Sequence, residues 1–394
     1  MDPLGLYLHV PFCRAKCAYC DFNSYPHLEH LHERYVAALC QELRLAGEGY
    51  GRLDVDSIYI GGGTPSTLPP ALLCQVLAKC RQAFAVSADA EISLEANPGT
   101  LQPDALTALL RAGVNRLSLG AQSFNDQELR LLGRIHGAEQ TREAVRLARR
   151  AGLRNLNLDL IYGLPNQNLA EWGASLEQAL QLAPEHLSAY ALSVEEGTPL
   201  AGRIARGELP APDPDLVADM YDQAEQRLAR AGYEHYEISN WALRAATGCA
   251  SPFRCRHNCK YWHVEPYLGF GAGAHSHRHG ERWSNVLHPL EYVSHIEQRL
   301  SAVAERTPLT SADSMAESMM LGLRLMEGVD LQAFARRYGC DLLRVYAAPI
   351  AELESLGLLE HDKRSVRLTA RGHLLGNQVF GRFWPPPAPQ QTGS

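Results

Sequence analysis

Three cysteines near the start of the chain, Cys13, Cys17 and Cys20, are spaced C-x3-C-x2-C within PFCRAKCAYCDF. Thiolates so close in sequence can wrap one corner of a cubane iron–sulfur cluster, and soft sulfur ligands also suit zinc. A closed structural zinc site needs a fourth ligand. No nearby cysteine supplies one, although His27 lies seven residues on. Three ligands to a [4Fe–4S] cluster leave one iron open, and an open metal position is where chemistry occurs. Tyr19, just before the third cysteine, reads as an aromatic wall or as ordinary packing.

Further candidates are scattered along the chain. Gly61–Pro65 (GGGTP) ends a strand-like run. Glycines there let the backbone approach a ligand and offer free N–H groups, though a tight turn explains the run equally well. Glu95 in EANP suits an ammonium or a ribose, Gln122 in GAQSF is a two-way hydrogen-bonder, and Asp159 in NLDLIYGLP suits ribose hydroxyls. Arg134 in LLGRIH can pair a carboxylate bidentately. Taken singly, each also reads as a cap, a turn or a surface pair. Residues 254–262, RCRHNCKYW, set His257 among Cys255, Cys259, Tyr261 and Trp262. Imidazole is a common axial ligand of haem iron, and Tyr and Trp offer flat faces to a macrocycle. His275, His277 and His279 alternate along YLGFGAGAHSHRHG. A strand would put them on one face, and no second metal site is expected there.

Up to about residue 240, strand-like runs (4–10, 56–62, 91–97, 116–123, 155–164, 186–194) alternate with stretches of helical periodicity. The helical stretches are 33–45, 69–84, 103–112, 141–151, 170–182 and 213–231. Such alternation predicts an α/β fold with a parallel sheet, whether a barrel or a doubly wound sheet. In both, ligands gather at the C-terminal ends of strands. Gly61–Gly63, Glu95, Gln122 and Asp159 all fall at such ends, which argues for one shared site. We expect a main domain over 1–240, a linking segment over 241–285 that carries the RCRHNCKYW string, and a smaller domain over 286–384. The last is read as helices at 288–303, 312–326, 330–338 and 342–357, a hairpin at 358–370 and a helix near 371–383. Helix, hairpin, helix suggests a winged-helix-like module. The tail 385–394 (PPPAPQQTGS) cannot bury apolar surface and is expected to be disordered.

With 394 residues, 46 % of them apolar, the chain can bury a large core. A formal charge of −7 gives no support to a broad nucleic-acid-binding surface. The local cluster Arg146, Arg149, Arg150 and Arg154 reads as a solvated helix face. No apolar run approaches the roughly 20 residues that span a bilayer, so no membrane anchor is expected. A strand-like run from Leu4 leaves no room for a secretory signal. We therefore expect a cytoplasmic protein with reduced cysteines, Cys40, Cys74, Cys80 and Cys340 being small core residues.

C-x3-C-x2-C with an aromatic residue before the last cysteine resembles the signature of the radical S-adenosylmethionine (SAM) superfamily. The longer string YLHVPFCRAKCAYCDF resembles its subgroup that holds oxygen-independent coproporphyrinogen III oxidase and the HemW-type haem chaperones. The resemblance runs over nearly the whole chain. It implies a partial (β/α)6 barrel with a mostly helical C-terminal domain, and a [4Fe–4S] cluster on Cys13, Cys17 and Cys20. It implies SAM on the open iron, with Gly62, Gly63 and Thr64 at its amino end. Glu95, Gln122, Arg134 and Asp159 are further implied contacts, with Tyr7 and Tyr19 beside the cluster. It also implies cleavage of SAM to a 5′-deoxyadenosyl radical, a chemistry supplied by the cofactor pair. No single catalytic residue follows.

Two features separate the subgroup's members. The oxidase has another cysteine two residues after the third, where this chain has Phe22, and it carries a long N-terminal extension without a counterpart here. HNxxYW at 257–262 resembles the haem-binding signature of the chaperones, which makes His257 the expected haem ligand and Cys259 the next candidate. The expected function is to bind haem and pass it to an apo-haemoprotein, a membrane-associated respiratory enzyme. The alternatives are a coproporphyrinogen-oxidising enzyme and a structural zinc or iron–sulfur protein.

Overall fold

The computed structural model describes residues 3–245 and 249–384. The expected disordered tail, 385–394, lies outside them. Runs rich in Leu and Ile form strands covered on both faces, as parallel strands between helices are. In β1 (Leu4–Val10) only Tyr7 is less than buried. Two short pieces follow, β2 (Phe12–Cys13) and β3 (Tyr25–Pro26), paired with each other in parallel on either side of the cysteine loop. Then come β4 (Asp54–Gly62), β5 (Ala85–Ala96), β6 (Arg116–Gln122), β7 (Leu156–Tyr162) and β8 (His186–Ala191). The order β1-β4-β5-β6-β7-β8 is parallel throughout. The crossovers are α1 (His32–Tyr50), α2 (Pro70–Ala83), α3 (Pro103–Arg111), α4 (Asp126–Leu131), α5 (Ala138–Arg150) and α6 (Leu169–Gln181). This is the partial (β/α)6 barrel that the resemblance implies. Prolines open α2 and α3, where a missing N–H costs nothing. Asn168 caps α6 and Glu171 completes the capping box.

The sheet goes on past the parallel strands. After α7 (Pro199–Ala205) and α8 (Pro214–Arg230), β9 (Tyr233–Glu237) and β10 (Asn240–Leu243) add antiparallel at the β8 edge. Helix α9 (Arg256–Trp262) carries the HNxxYW residues. On the other edge, β11 (Tyr267–Phe270) pairs parallel with β1. Strands β12 (His275–Arg278), β13 (Glu281–Asn285) and β14 (Val303–Pro308) then continue antiparallel. The twelve strands thus form one sheet, which runs to Pro308 and past the 285/286 boundary drawn from sequence. The helix expected over 288–303 is the shorter α10 (Pro289–Glu297), ended where Arg299 takes φ 59°.

A second core lies under α11 (Ser311–Gly322), β15 (Val329–Asp330), α12 (Leu331–Tyr338), α13 (Leu342–Val345), α14 (Ala347–Ser355), β16 (Leu359–His361) and β17 (Ser365–Leu368). Strands β15-β17-β16 form a small antiparallel sheet. The helix expected over 342–357 breaks after Val345 because Pro349 has no N–H to return to that carbonyl. The last expected helix is likewise two pieces, α15 (Ala370–Leu374) and α16 (Gly376–Phe380). Among the described residues no helix is long and apolar enough to cross a membrane.

Candidate functional site

Backbone hydrogen bonds hold the cysteine loop. Ala18 donates to the Leu132 carbonyl (2.9 Å) and accepts from Leu200 (2.9 Å), while Cys20 N–H turns back to Cys17 (3.3 Å). Ala18 and Tyr19 pack on an apolar cluster of Leu132, Ile161, Leu164, Leu192, Leu200 and Leu209. The chain behind the loop is close against the glycine run. A Cβ on Gly63 would come within 2.7 Å of the Phe12 carbonyl oxygen, and one on Gly62, at φ +116°, within 2.6 Å of the His9 ring. Glycine is needed there to seat the loop on the strand end.

Eleven of the residues expected from sequence at the cluster and SAM line one cavity of about 490 Å3. Cys13, Cys17, Tyr19 and Cys20 form one side; Gly62, Gly63, Thr64, Glu95, Gln122, Arg134 and Asp159 come from the strand ends and the segment after α4. Burial raises the Cys13 and Cys20 thiols, opposed at Cys13 by a Thr64 hydrogen bond (3.5 Å). Arg134 donates to the Cys17 sulfur (3.3 Å) and to the Gly120 carbonyl (2.8 Å), and its Nε is buried without a partner. Gln122 sits at φ 65°, where the β6–β7 register slips past Gly120, so its amide is aimed by a strained backbone. Glu95 accepts from the Tyr59 hydroxyl (2.9 Å) and the Gly62 N–H (3.1 Å). Burial, with Asp159 adding, pushes its carboxyl up to about 7. Asp159 accepts from Ser118 (3.0 Å) and Asn157 (2.8 Å), and burial raises it too.

The donor set fits the implied groups. Three thiols on one side of the cavity are soft donors of the kind an iron–sulfur cluster takes. The unpartnered Arg134 Nε and the two raised carboxyls suit a ligand bearing a carboxylate, a cation and hydroxyls.

A second cavity, about 740 Å3, adjoins the first and shares Phe22, Gly62 and Glu95 with it. Tyr7 opens here, its hydroxyl bonded to His9 Nδ1 (3.0 Å). The walls include Tyr261, Trp262, Val264, Tyr267, His275 and His277. Phe22 is 66 % exposed between the two spaces. His257 lines neither cavity. It is 1 % exposed, with Nδ1 bonded to Ser57 Oγ (3.1 Å) and Nε2 to the Tyr261 hydroxyl (2.9 Å). Burial, with Lys260 and Arg116 nearby, lowers its pKa to about 3. Burial likewise pushes Cys259 up to about 12, so it stays a thiol.

Sequence reasoning passed over Tyr59, Asn97, Ser118 and Tyr190, all in the first cavity. Two had a readable signal. Ser118 alternates with Gly120 and Gln122 along β6, and Tyr59 with Gly61 along β4, so each shares a face with a residue already singled out.

A Radical SAM superfamily model matches residues 7–179, and a HemN C-terminal domain model matches 309–375. "Heme chaperone HemW" of Bacillus subtilis is 36 % identical over 96 % of this chain and 98 % of its own. Its namesake from Escherichia coli is 43 % identical over 70 % of each. A mitochondrial "Radical S-adenosyl methionine domain-containing protein 1" of Bos taurus is 35 % identical over 93 % of this chain and 84 % of its own. Among solved structures, the coproporphyrinogen III oxidase HemN of Escherichia coli superimposes with a TM-score of 0.83 at 26 % identity, covering 97 % of this chain and 90 % of that one. The cysteine loop, the strand-end cavity and these full-length relatives agree: the chain belongs to the HemW family of the radical SAM superfamily.

Proposed function

We propose that the chain is a haem chaperone. It carries a [4Fe–4S] cluster on Cys13, Cys17 and Cys20, binds SAM in the adjoining strand-end cavity, takes haem into the larger cavity and passes it to an apo-haemoprotein. The observation that carries this reading is the larger cavity. Its aromatic walls suit a flat macrocycle, its volume suits a ligand of that size, and the relatives named above are heme chaperones. When bound, the cluster and SAM supply one-electron chemistry. The chain's own part is to hold and orient. The three cysteines anchor the cluster. Arg134, Glu95 and Asp159 offer a cation and two carboxyls to the polar parts of SAM, and Phe22 separates the two spaces with a side chain that ligates no metal. The proposed setting is the cytoplasm, with a membrane-associated respiratory enzyme as acceptor. That would be a transient surface contact rather than anchoring.

The likeness to HemN favours a second reading, oxidation of coproporphyrinogen. One preparation separates the two. The cluster is reconstituted anaerobically, then hemin binding is followed by its Soret band and coproporphyrinogen conversion is assayed with SAM and a reductant. Stable hemin binding without turnover is expected. Turnover without stable hemin binding would sink the chaperone reading.

A further inference from the structure

We propose that His277, not the His257 of the HNxxYW string, ligates the iron of the haem, and that His257 serves the site by positioning Tyr261. The assignment rests on the haem reading above.

His257 is badly placed to ligate. Both its ring nitrogens are engaged, and its ring lies 5.4 Å from that of Tyr59 in a stack. On another side it is tight against the backbone of β1, where a Cβ on Gly5 would come within 3.1 Å of it. To reach the larger cavity it would have to break both hydrogen bonds and displace Tyr261. That tyrosine lines the cavity and stands edge-on to His257 at 5.1 Å. What His257 does reach is the Tyr261 hydroxyl, and Tyr261 in turn stands edge-on to Tyr267 at 4.6 Å. Histidine thus fixes one aromatic wall from behind.

His277 is placed the other way. Across β11, β12 and β13, Tyr267, His277 and Arg282 sit directly opposite one another, so they share one face of the sheet. All three line the larger cavity. Tyr267 flanks the His277 ring at 6.2 Å, and Arg282 is pinned to the Tyr267 hydroxyl (3.1 Å) and to Glu317. The ring is therefore held by its neighbours. Its Nδ1 is buried, and the Glu265 backbone carbonyl lies at the ring, the kind of acceptor that holds an imidazole while its other nitrogen takes a metal. Burial and Arg282 keep the ring neutral, the form that coordinates iron. His275, two residues back on the same strand face, also reaches the cavity but is exposed there. His279, two residues beyond His277, is exposed outside the cavity lining and is the natural control.

The test is hemin titration into the cluster-reconstituted full chain and its variants His277→Ala, His277→Gln, His257→Gln and His279→Asn. Cluster absorbance and thermal melting serve as checks on folding. Both His277 variants should lose at least about tenfold in hemin affinity and shift the Soret band. Millimolar imidazole should restore the band in His277→Ala, a rescue that a merely structural role would not show. His257→Gln should keep the Soret position and lose no more than about threefold in affinity, and His279→Asn should resemble the unmodified chain. A lost Soret band in His257→Gln with His277→Ala unaffected would overturn the assignment in favour of His257. Unchanged spectra in every variant would overturn histidine ligation altogether. If the unmodified chain binds no hemin, the haem reading falls first and the assignment with it.

Discussion

Glu95 is the residue whose behaviour is easiest to predict. Its carboxyl sits near 7 because the barrel withholds water and Asp159 repels its charged form, while Tyr59 and the Gly62 N–H only partly offset this. Near neutral pH it is therefore about half protonated, and a cationic ligand such as SAM must displace the proton. Only the ionised form pairs a cation, so SAM affinity should fall as pH drops below 7, approaching tenfold per pH unit, and binding near pH 7 should release about half a proton per SAM. Calorimetry in two buffers of different ionisation enthalpy measures that proton. Glu95→Gln should weaken binding and flatten the pH profile. An unchanged profile would mean that Glu95 does not face the cation. Glu95, Gln122 and Asp159 could be picked from the sequence because strand ends are where a parallel sheet collects polar side chains. The environment of His257 could not. Whether an imidazole is free or walled in depends on Ser57, Tyr59 and Gly5, which come from strands roughly 200 to 250 residues away.

Among the elements, α9 depends on a strand it never follows. Glu91 of β5 accepts the backbone N–H of Arg256 (2.8 Å) and of His257 (3.2 Å), so a carboxylate from the barrel caps the helix that carries HNxxYW. Glu91 also lies beside the fully buried Arg116, which would lose a counter-charge without it. Glu91→Ala should cost about 2–4 kcal/mol and loosen the Tyr261–Trp262 wall. Denaturant melts and hemin titration check both parts, and intact hemin affinity in a destabilised variant would uncouple the cap from the wall. The cysteine loop has a similar dependence. Gly63→Ala should push on the Phe12 backbone just before Cys13, cost about 1–3 kcal/mol and lower the iron recovered per chain after reconstitution. The β-α period was legible because its strands are apolar on both faces. HSHR, ERWSN and VAERTP, which extend the sheet in β12, β13 and β14, have no such signal. They are strands because β11 offers them an edge, a fact of tertiary pairing.

At the scale of the molecule, the larger cavity lies between the extended sheet and the second core. Glu317, Met320 and Leu321 of α11 face Tyr267, His277 and Arg282 across it. The two parts are also joined where Ile238 N–H reaches the Arg324 carbonyl (3.1 Å) and Met326 N–H the Tyr236 carbonyl (3.1 Å). Directly at the cavity, the fastening is the two-pronged pair of Arg282 with Glu317 (2.7 and 2.8 Å). Both side chains are mostly shielded from solvent, so breaking the pair should cost more than an exposed ion pair would, about 1–3 kcal/mol. Arg282→Ala and Glu317→Ala should each lower the melting temperature, and the double variant should lose clearly less than their sum, because the second truncation removes a charge already left alone. Hemin should also leave Arg282→Ala faster, since that variant loses the partner of Tyr267 as well as the fastening to α11. Strictly additive costs would mean that the pair does not join the two parts. Additive costs with an unchanged hemin off-rate would mean that the second core is a bystander to the cavity rather than one of its walls.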